Sequence, residues 1–212
     1  MATGAPGTTR WGDEGALVAE FALVLPFLAL IVLGIFEFGM SWRESANLAG
    51  ALRGAARQVT NLGDVRSADY FGLQSYQAAM AQARNVQTNR VVVYRATGPD
   101  GAPAAASCLT TAPPLTGTAG YGSTGNCNIY TRAQIANLGA SYLTNFGTTD
   151  TACAATAWDR FWCPVSRNAD QGDPPDWVGV YANVTYDSYT GLIPNTITIT
   201  DRVVMRNEPR VG

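Results

Sequence analysis

Two carboxylates, Glu20 and Glu37, are the only charged side chains between Ala16 and Met40, a stretch otherwise rich in Leu, Val, Ile, Ala and Phe. An acid deep inside a membrane-length helix costs about 2.5 kcal/mol or more, so Glu20 calls for a partner. Glu20 lies near the start of the run. Glu37 lies near its end, a turn or so from Trp42 and Arg43, where it reads as a marker of the outer membrane interface. The chemistry open to such acids is charge pairing between helices. A second chemistry belongs to Cys108, Cys127, Cys153 and Cys163, all in the C-terminal half and none in the close spacing of a zinc or redox motif. Of the three possible connectivities, Cys108–Cys127 with Cys153–Cys163 closes the shortest loops. Each bridge is then worth about 2–4 kcal/mol.

Other chemistries find little support. The 14 basic residues are all Arg, and the chain has no His, which removes the commonest general base and neutral metal ligand together. No glycine-rich phosphate loop, GxSxG motif or metal-spaced cluster is present, so no catalytic residue, metal or cofactor is expected. The net charge of −2 offers no field that attracts nucleic acid. Asn168, Asp170, Asp173 and Asp176 sit in a Pro-rich turn that departs from the calcium-loop pattern, and a solvated turn is the simpler reading. Trp158, Trp162, Trp177 and Tyr181 fit core packing better than a sugar or protein platform. The sequon at Asn183 falls in an expected strand.

These residues need elements to place them. At 1.5 Å per residue the apolar run reaches roughly 37 Å, enough for a ~30 Å hydrocarbon core. It lacks the basic start and small-residue exit of a cleaved secretory signal, so it reads as a retained span. Pro26 is tolerable in a span as a local kink, and Gly34 and Gly39 allow another helix to approach closely. Leu48, Leu52, Ala55 or Ala56, and Val59 continue the helix on one face, which gives a single helix from about 14 to 60 ended by Asn61-Leu-Gly63. Asp69 is expected to cap a second helix running to Arg84, and Thr131 to Leu138 a short one. Strands are expected at 90–95, 177–189 and 195–206, the last two joined through Gly191-Leu-Ile-Pro194. Residues 98–128, rich in Gly, Ala, Ser, Thr and Pro, read as a loop clamped by a disulfide. The fold class is α+β, a small and mainly antiparallel sheet packed on the long helix. Basic residues flank the span as Arg10 before it and Arg43, Arg53 and Arg57 after it. Counted alone, they would put the C-terminal side in the cytoplasm. Paired cysteines require the opposite orientation, and a long domain can translocate regardless of flanking charge.

Gly15 followed five residues later by Glu20 and Phe21, at the head of an apolar helix, resembles the processing site of type IV prepilins. That resemblance implies a membrane peptidase, supplied in trans, cutting between Gly15 and Ala16. The new α-amino group on Ala16 would lie about one helical turn from Glu20 and could pair with that carboxylate in its own chain or a neighbour's. A polar group buried in a helix bundle is well suited to setting register. Ala19-Glu-Phe-Ala-Leu-Val-Leu-Pro26 and Leu33-Gly-Ile-Phe-Glu-Phe-Gly39 closely resemble the N-terminal signature of TadE/TadG-like proteins. Asp176-Trp-Val-Gly-Val-Tyr181, Leu192 and Asp201-Arg-Val-Val-Met-Arg-Asn-Glu-Pro209 look like the actinobacterial members. The leader, with Asp13 and Glu14 after Arg10, is less basic than is usual in such signals.

The resemblance implies a pilin-like fold and a minor, non-enzymatic subunit of a tight-adherence (Tad) pilus and its secretion machinery. Its partners would be other pilin-like subunits, the assembly platform, the prepilin peptidase and the lipid membrane. The chain divides accordingly into a leader at 1–15, a span at 16–41, a helical continuation at 42–63 and a head at 64–212 outside the cytoplasm. The assembly face of the helix would be Glu20, Pro26, Gly34, Glu37 and Gly39. A different reading keeps the same anchor but leaves it uncut, with the head as an extracytoplasmic binding or adhesion module.

Overall fold

In a computed structural model the chain is described over residues 11–147, 151–170, 173–191 and 196–209. One helix, α1 (Trp11–Leu62), runs unbroken through the apolar segment and beyond it, with Pro26 inside. From Leu48 onward it buries Leu48, Ala51, Leu52, Ala55, Ala56 and Val59, the i, i+3, i+4 stripe of an amphipathic helix. Gly63, at φ 53°, ends it, and its N–H donates to the Val59 carbonyl. A second helix, α2 (Ala68–Met80), folds back against α1. Gly72 makes that approach possible, because a Cβ there would meet Val59 Cγ2 at 2.3 Å and the Ala55 carbonyl oxygen at 3.3 Å.

The head is built on a five-stranded sheet in the order β2–β3–β1–β4–β5, every neighbouring pair antiparallel. Its strands are β1 (Val86–Ala96), β2 (Tyr121–Ser123), β3 (Cys127–Thr131), β4 (Trp177–Asp187) and β5 (Thr196–Arg206). Short helices α3 (Ser107–Thr110), α4 (Arg132–Ala136) and α5 (Leu138–Asn145), with a 3-10 turn at Pro164–Ser166, occupy the connections. One sheet face carries Val91, Val93, Val178, Val180, Ala182 and Val184 into the core shared with α1 and α2. The opposite face carries Val92, Tyr94 and Ile129 into a smaller cluster with the Cys108–Cys127 bridge. The central strand β1 is therefore apolar at consecutive positions, since both of its faces are covered. The second disulfide joins Cys153 to Cys163.

The α+β class, the long helix and the antiparallel sheet are as expected, and the local readings differ at several points. The loop reading of 98–128 missed β2, and β3 begins at its end; α3 also lies within it. The second helix stops at Met80 rather than Arg84. Asp69 does not cap it: the N-cap is Ser67, and Asp69 is the second residue of the helix, in its first turn and fully buried. The tertiary ion pair described below claims the carboxylate that a cap would have used. Thr131 does cap α4 through a reciprocal capping box with Gln134. The Leu192–Pro194 part of the β4–β5 connection lies outside the described residues, as does the leader up to Arg10.

A backbone contact inside the sheet is directly testable. Gly179 pairs with Tyr94 across β4 and β1, and a Cβ at Gly179 would meet the Tyr94 ring at 2.1–2.6 Å. That ring is fully buried, and its hydroxyl donates to the Gly101 carbonyl at 2.9 Å. Gly179→Ala is therefore expected to destabilise the head by about 1–3 kcal/mol, the usual cost of overpacking. Thermal unfolding of the full chain in detergent measures it; an unchanged midpoint would mean that the ring has room to move.

Candidate functional site: the apolar helix and its junction with the head

The first half of α1 stands free of the head. Leu17, Val18, Phe21, Leu23, Phe27, Ile31, Val32 and Ile35 are all more than half exposed, and the helix is long and apolar enough to cross a membrane. Large apolar residues on every side of a helix are stable only in lipid or among other helices. Gly15, Glu20, Phe21 and Pro26 lie exposed on this free part, and Gly39 is exposed near its end. Among the described residues, and apart from the adjoining residues and backbone of the helix itself, no atom comes within 4 Å of a Cβ placed at Gly15, Gly34 or Gly39, so their surfaces are open to a neighbouring helix. Ala16 belongs to the same helix.

Glu37 departs from this pattern. It is fully buried, though it lies between the exposed Phe36 and Phe38. The turn that follows β4 wraps its carboxylate. Tyr186 donates its hydroxyl to Oε1 at 3.0 Å, the Tyr189 N–H donates to Oε1 at 2.8 Å, and the Thr190 N–H donates to Oε2 at 3.1 Å. Rather than standing as a free interfacial charge or facing a neighbouring helix, Glu37 is bound by its own head. The physical reason is geometric. Seven residues beyond Glu37 is Glu44, also buried and bonded to Asn47, and the Leu48–Val59 stripe continues the same side of α1. The face that packs on the sheet begins at Glu37, and two backbone N–H groups with a phenol replace the water that the carboxylate gives up. The seven-residue spacing of the acids, in phase with the apolar stripe, was the available sequence signal.

The sheet's core holds a second polar cluster that the sequence did not announce. Asp69 Oδ1 lies 2.7 Å from Arg167 Nη1, and both side chains are inaccessible to solvent. This approach is an ion contact without directed hydrogen-bond geometry, and among the described residues Arg167 Nε also has no acceptor. Asp69 Oδ2 accepts from Tyr130 Oη at 2.6 Å and from Asn128 Nδ2 at 2.9 Å. Arg167 Nη2 donates to the Trp162 carbonyl at 3.1 Å, and its guanidinium lies 4.2 Å over the Trp162 ring. Asp159, buried nearby, accepts from the Gly147 N–H at 3.1 and 3.2 Å. Desolvation by burial, then the Asp69 charge, pushes its pKa up from 3.8 to about 7. Burial and the neighbouring acids hold the Tyr130 phenol well above its ordinary pKa, so it remains a donor. The cluster is closed inside the core and serves packing.

Other candidates resolve as structure. Trp158 and Trp162 are core residues, whereas Trp177 and Tyr181 pack with the cluster on the sheet's far face, so the four form no common platform. Asp176 pairs with Arg95 at 3.0 Å and accepts from the Asn168 N–H at 2.8 Å, which ties the Pro-rich turn to β1. Among the described residues no group of three His, Cys, Asp or Glu side chains is placed to hold a metal.

With this geometry established, comparison with known proteins matches part of the chain to a protein family. Residues 15–57 fit the family model described as TadE-like protein. No curated protein and no solved structure matches the chain. The matched segment begins at Gly15, takes in the exposed apolar helix and Glu37, and ends within the stripe that packs on the sheet; the rest of the head lies outside it. Over its apolar helix and that helix's continuation, the chain is similar to the TadE-like family.

Proposed function

We propose that the chain is a membrane-anchored, pilin-like subunit associated with a Tad-type pilus or secretion system, and that it assembles through the free half of α1. One observation carries the proposal: the segment that fits the TadE-like model is the helix whose apolar surface the head leaves uncovered. Such a subunit is structural rather than enzymatic. Its partners are other pilin-like subunits, the assembly platform and the bilayer, with a prepilin peptidase acting on it once. In this reading residues 1–15 are a leader, 16–41 the span, 42–63 its continuation and 64–212 a head outside the cytoplasm. Two intramolecular disulfides and the absence of free cysteines among the described residues favour that side of the membrane.

The finer role follows from Glu20. Cleavage after Gly15 creates an ammonium on Ala16, one turn from a carboxylate that the head does not touch. The pair fixes the register of this helix against its neighbours. Intact-mass measurement of chain extracted from membranes containing the peptidase tests this. The expected mature mass lacks residues 1–15, and Gly15→Ala is expected to restore them. A chain that keeps its N-terminus in the presence of active peptidase would favour the uncut anchor with an adhesive head.

A further inference from the structure

The Glu37 junction places a part of the head at a definite depth. Twenty residues of helix, Leu17 to Phe36, span about 30 Å, the thickness of a bilayer's hydrocarbon core. Glu20 then lies one turn inside one boundary, and Glu37 lies at the other. The two N–H groups on Glu37 belong to Tyr189 and Thr190, so the turn after β4 is fastened to the helix at that boundary. The Tyr189 ring, 41% exposed, stands edge-on to Phe36 with the centroids 6.3 Å apart. Tyr186, on the protein side, approaches Tyr189 at 6.3 Å. The described residues at this end of the sheet, 85–87 and 187–191, include one acid, Asp187, which is held by Gln87 Nε2 at 3.3 Å. Arg84 flanks them, so opposite charges balance and an aromatic ring is the most prominent apolar group.

We propose that the turn following β4, at residues 188–191, is a second membrane contact, with Tyr189 seated beside Phe36 in the interfacial layer of the bilayer and held there by Glu37. A ring with an apolar body and a polar tip is the side chain suited to that layer. The head then rests on the lipid surface and does not swing above it on a free stalk. β4, which runs into this turn and packs on α1, then lies on the far side of it from the membrane. The partner is the lipid itself, engaged without net charge, and phosphatidylcholine is the probe.

The inference rests on reading α1 as a span, and the experiment separates the two. All four native thiols are paired, so an introduced cysteine on the full-length chain accepts a nitroxide alone. Labels at Leu28→Cys, Tyr189→Cys and Ala104→Cys are compared in phosphatidylcholine vesicles by their relaxation with oxygen and with a water-soluble nickel chelate. The expected oxygen-to-nickel ratio is highest at position 28, lowest at exposed position 104 near the far end of β1, and severalfold above that low value at position 189. A low ratio at 28 would remove the span itself. A high ratio at 28 with equal ratios at 189 and 104 would overturn the second contact alone. Shielding of 189 from both reagents would mean a protein neighbour and overturn lipid as the partner. Adding Glu37→Ala is expected to bring 189 down to the value at 104 while 28 stays unchanged; no change at 189 would overturn Glu37 as its holder.

Discussion

Replacing Arg167 with Met is expected to lower the stability of the head by about 3–5 kcal/mol, the cost of stranding one member of a buried ion pair. Asp69 would keep its two neutral donors, Tyr130 and Asn128, but would lose the only cation paired with it among the described residues, in a site with no solvent access. The loss would extend to the stacking of the guanidinium on Trp162 and to the bond that fixes the Trp162 carbonyl. Urea unfolding of the oxidised full chain in a non-ionic detergent, followed by the fluorescence of buried Trp158 and Trp162, measures it. The double variant Asp69→Asn with Arg167→Met is the informative control. Removing both charges is expected to recover a large part of the loss, because an apolar replacement of a whole buried pair is often close to neutral. A single-variant loss under about 1 kcal/mol would mean that Asp69 does not depend on Arg167 for its place in the core.

This cluster also marks where the sequence stops being readable. An acid in the first turn of a helix suggests a cap or a dipole partner, and at Asp69 that local rule yields to an arginine far along the chain. Nothing near either residue indicates the other. The same holds for β3: Cys127-Asn-Ile-Tyr-Thr131 is buried at every position, so the alternation that reveals a half-exposed strand is missing. Asn128 looks like a loop residue, yet it bridges Asp69 and the Trp162 backbone from inside the core. By contrast, α1, β4 and β5 were legible because each has a single demand on its surface. The free half of α1 is apolar on all sides, and β4 alternates because one face meets α1. At the candidate site, the Gly15–Glu20 segment, with Gly15 and Glu20 both exposed, was visible in sequence as a motif. The role of Glu37 was not, since its partners come from a turn more than a hundred residues later.

Asp159 should make the head less stable as pH rises, the reverse of the usual behaviour of a paired carboxylate. Its folded-state pKa of about 7 lies above the ordinary value of 3.8, chiefly because burial opposes the charge and secondarily because Asp69 repels it. Below about pH 4 both the folded and unfolded states hold the proton, and the group imposes no penalty. Between pH 4 and pH 7 the unfolded chain releases the proton while the folded chain keeps it, so unfolding gains about 1.4 kcal/mol per pH unit. Above pH 7 both are ionised, and the accumulated loss is of order 4 kcal/mol. Asp159→Asn removes the titration yet keeps a carbonyl oxygen for the Gly147 N–H. The expected result is a stability gain over the parent chain that grows by about 2 kcal/mol or more between pH 5 and pH 8. Unfolding free energies of the two proteins at both pH values decide it, since other titrating groups cancel in the difference. A gain of equal size at pH 5 and pH 8 would place Asp159 in its ionised form throughout. Arg167 lowers the pKa of Asp159, so the Arg167→Met background should widen the gap between the two pH values. That coupling would tie the two acids and the arginine into one electrostatic unit.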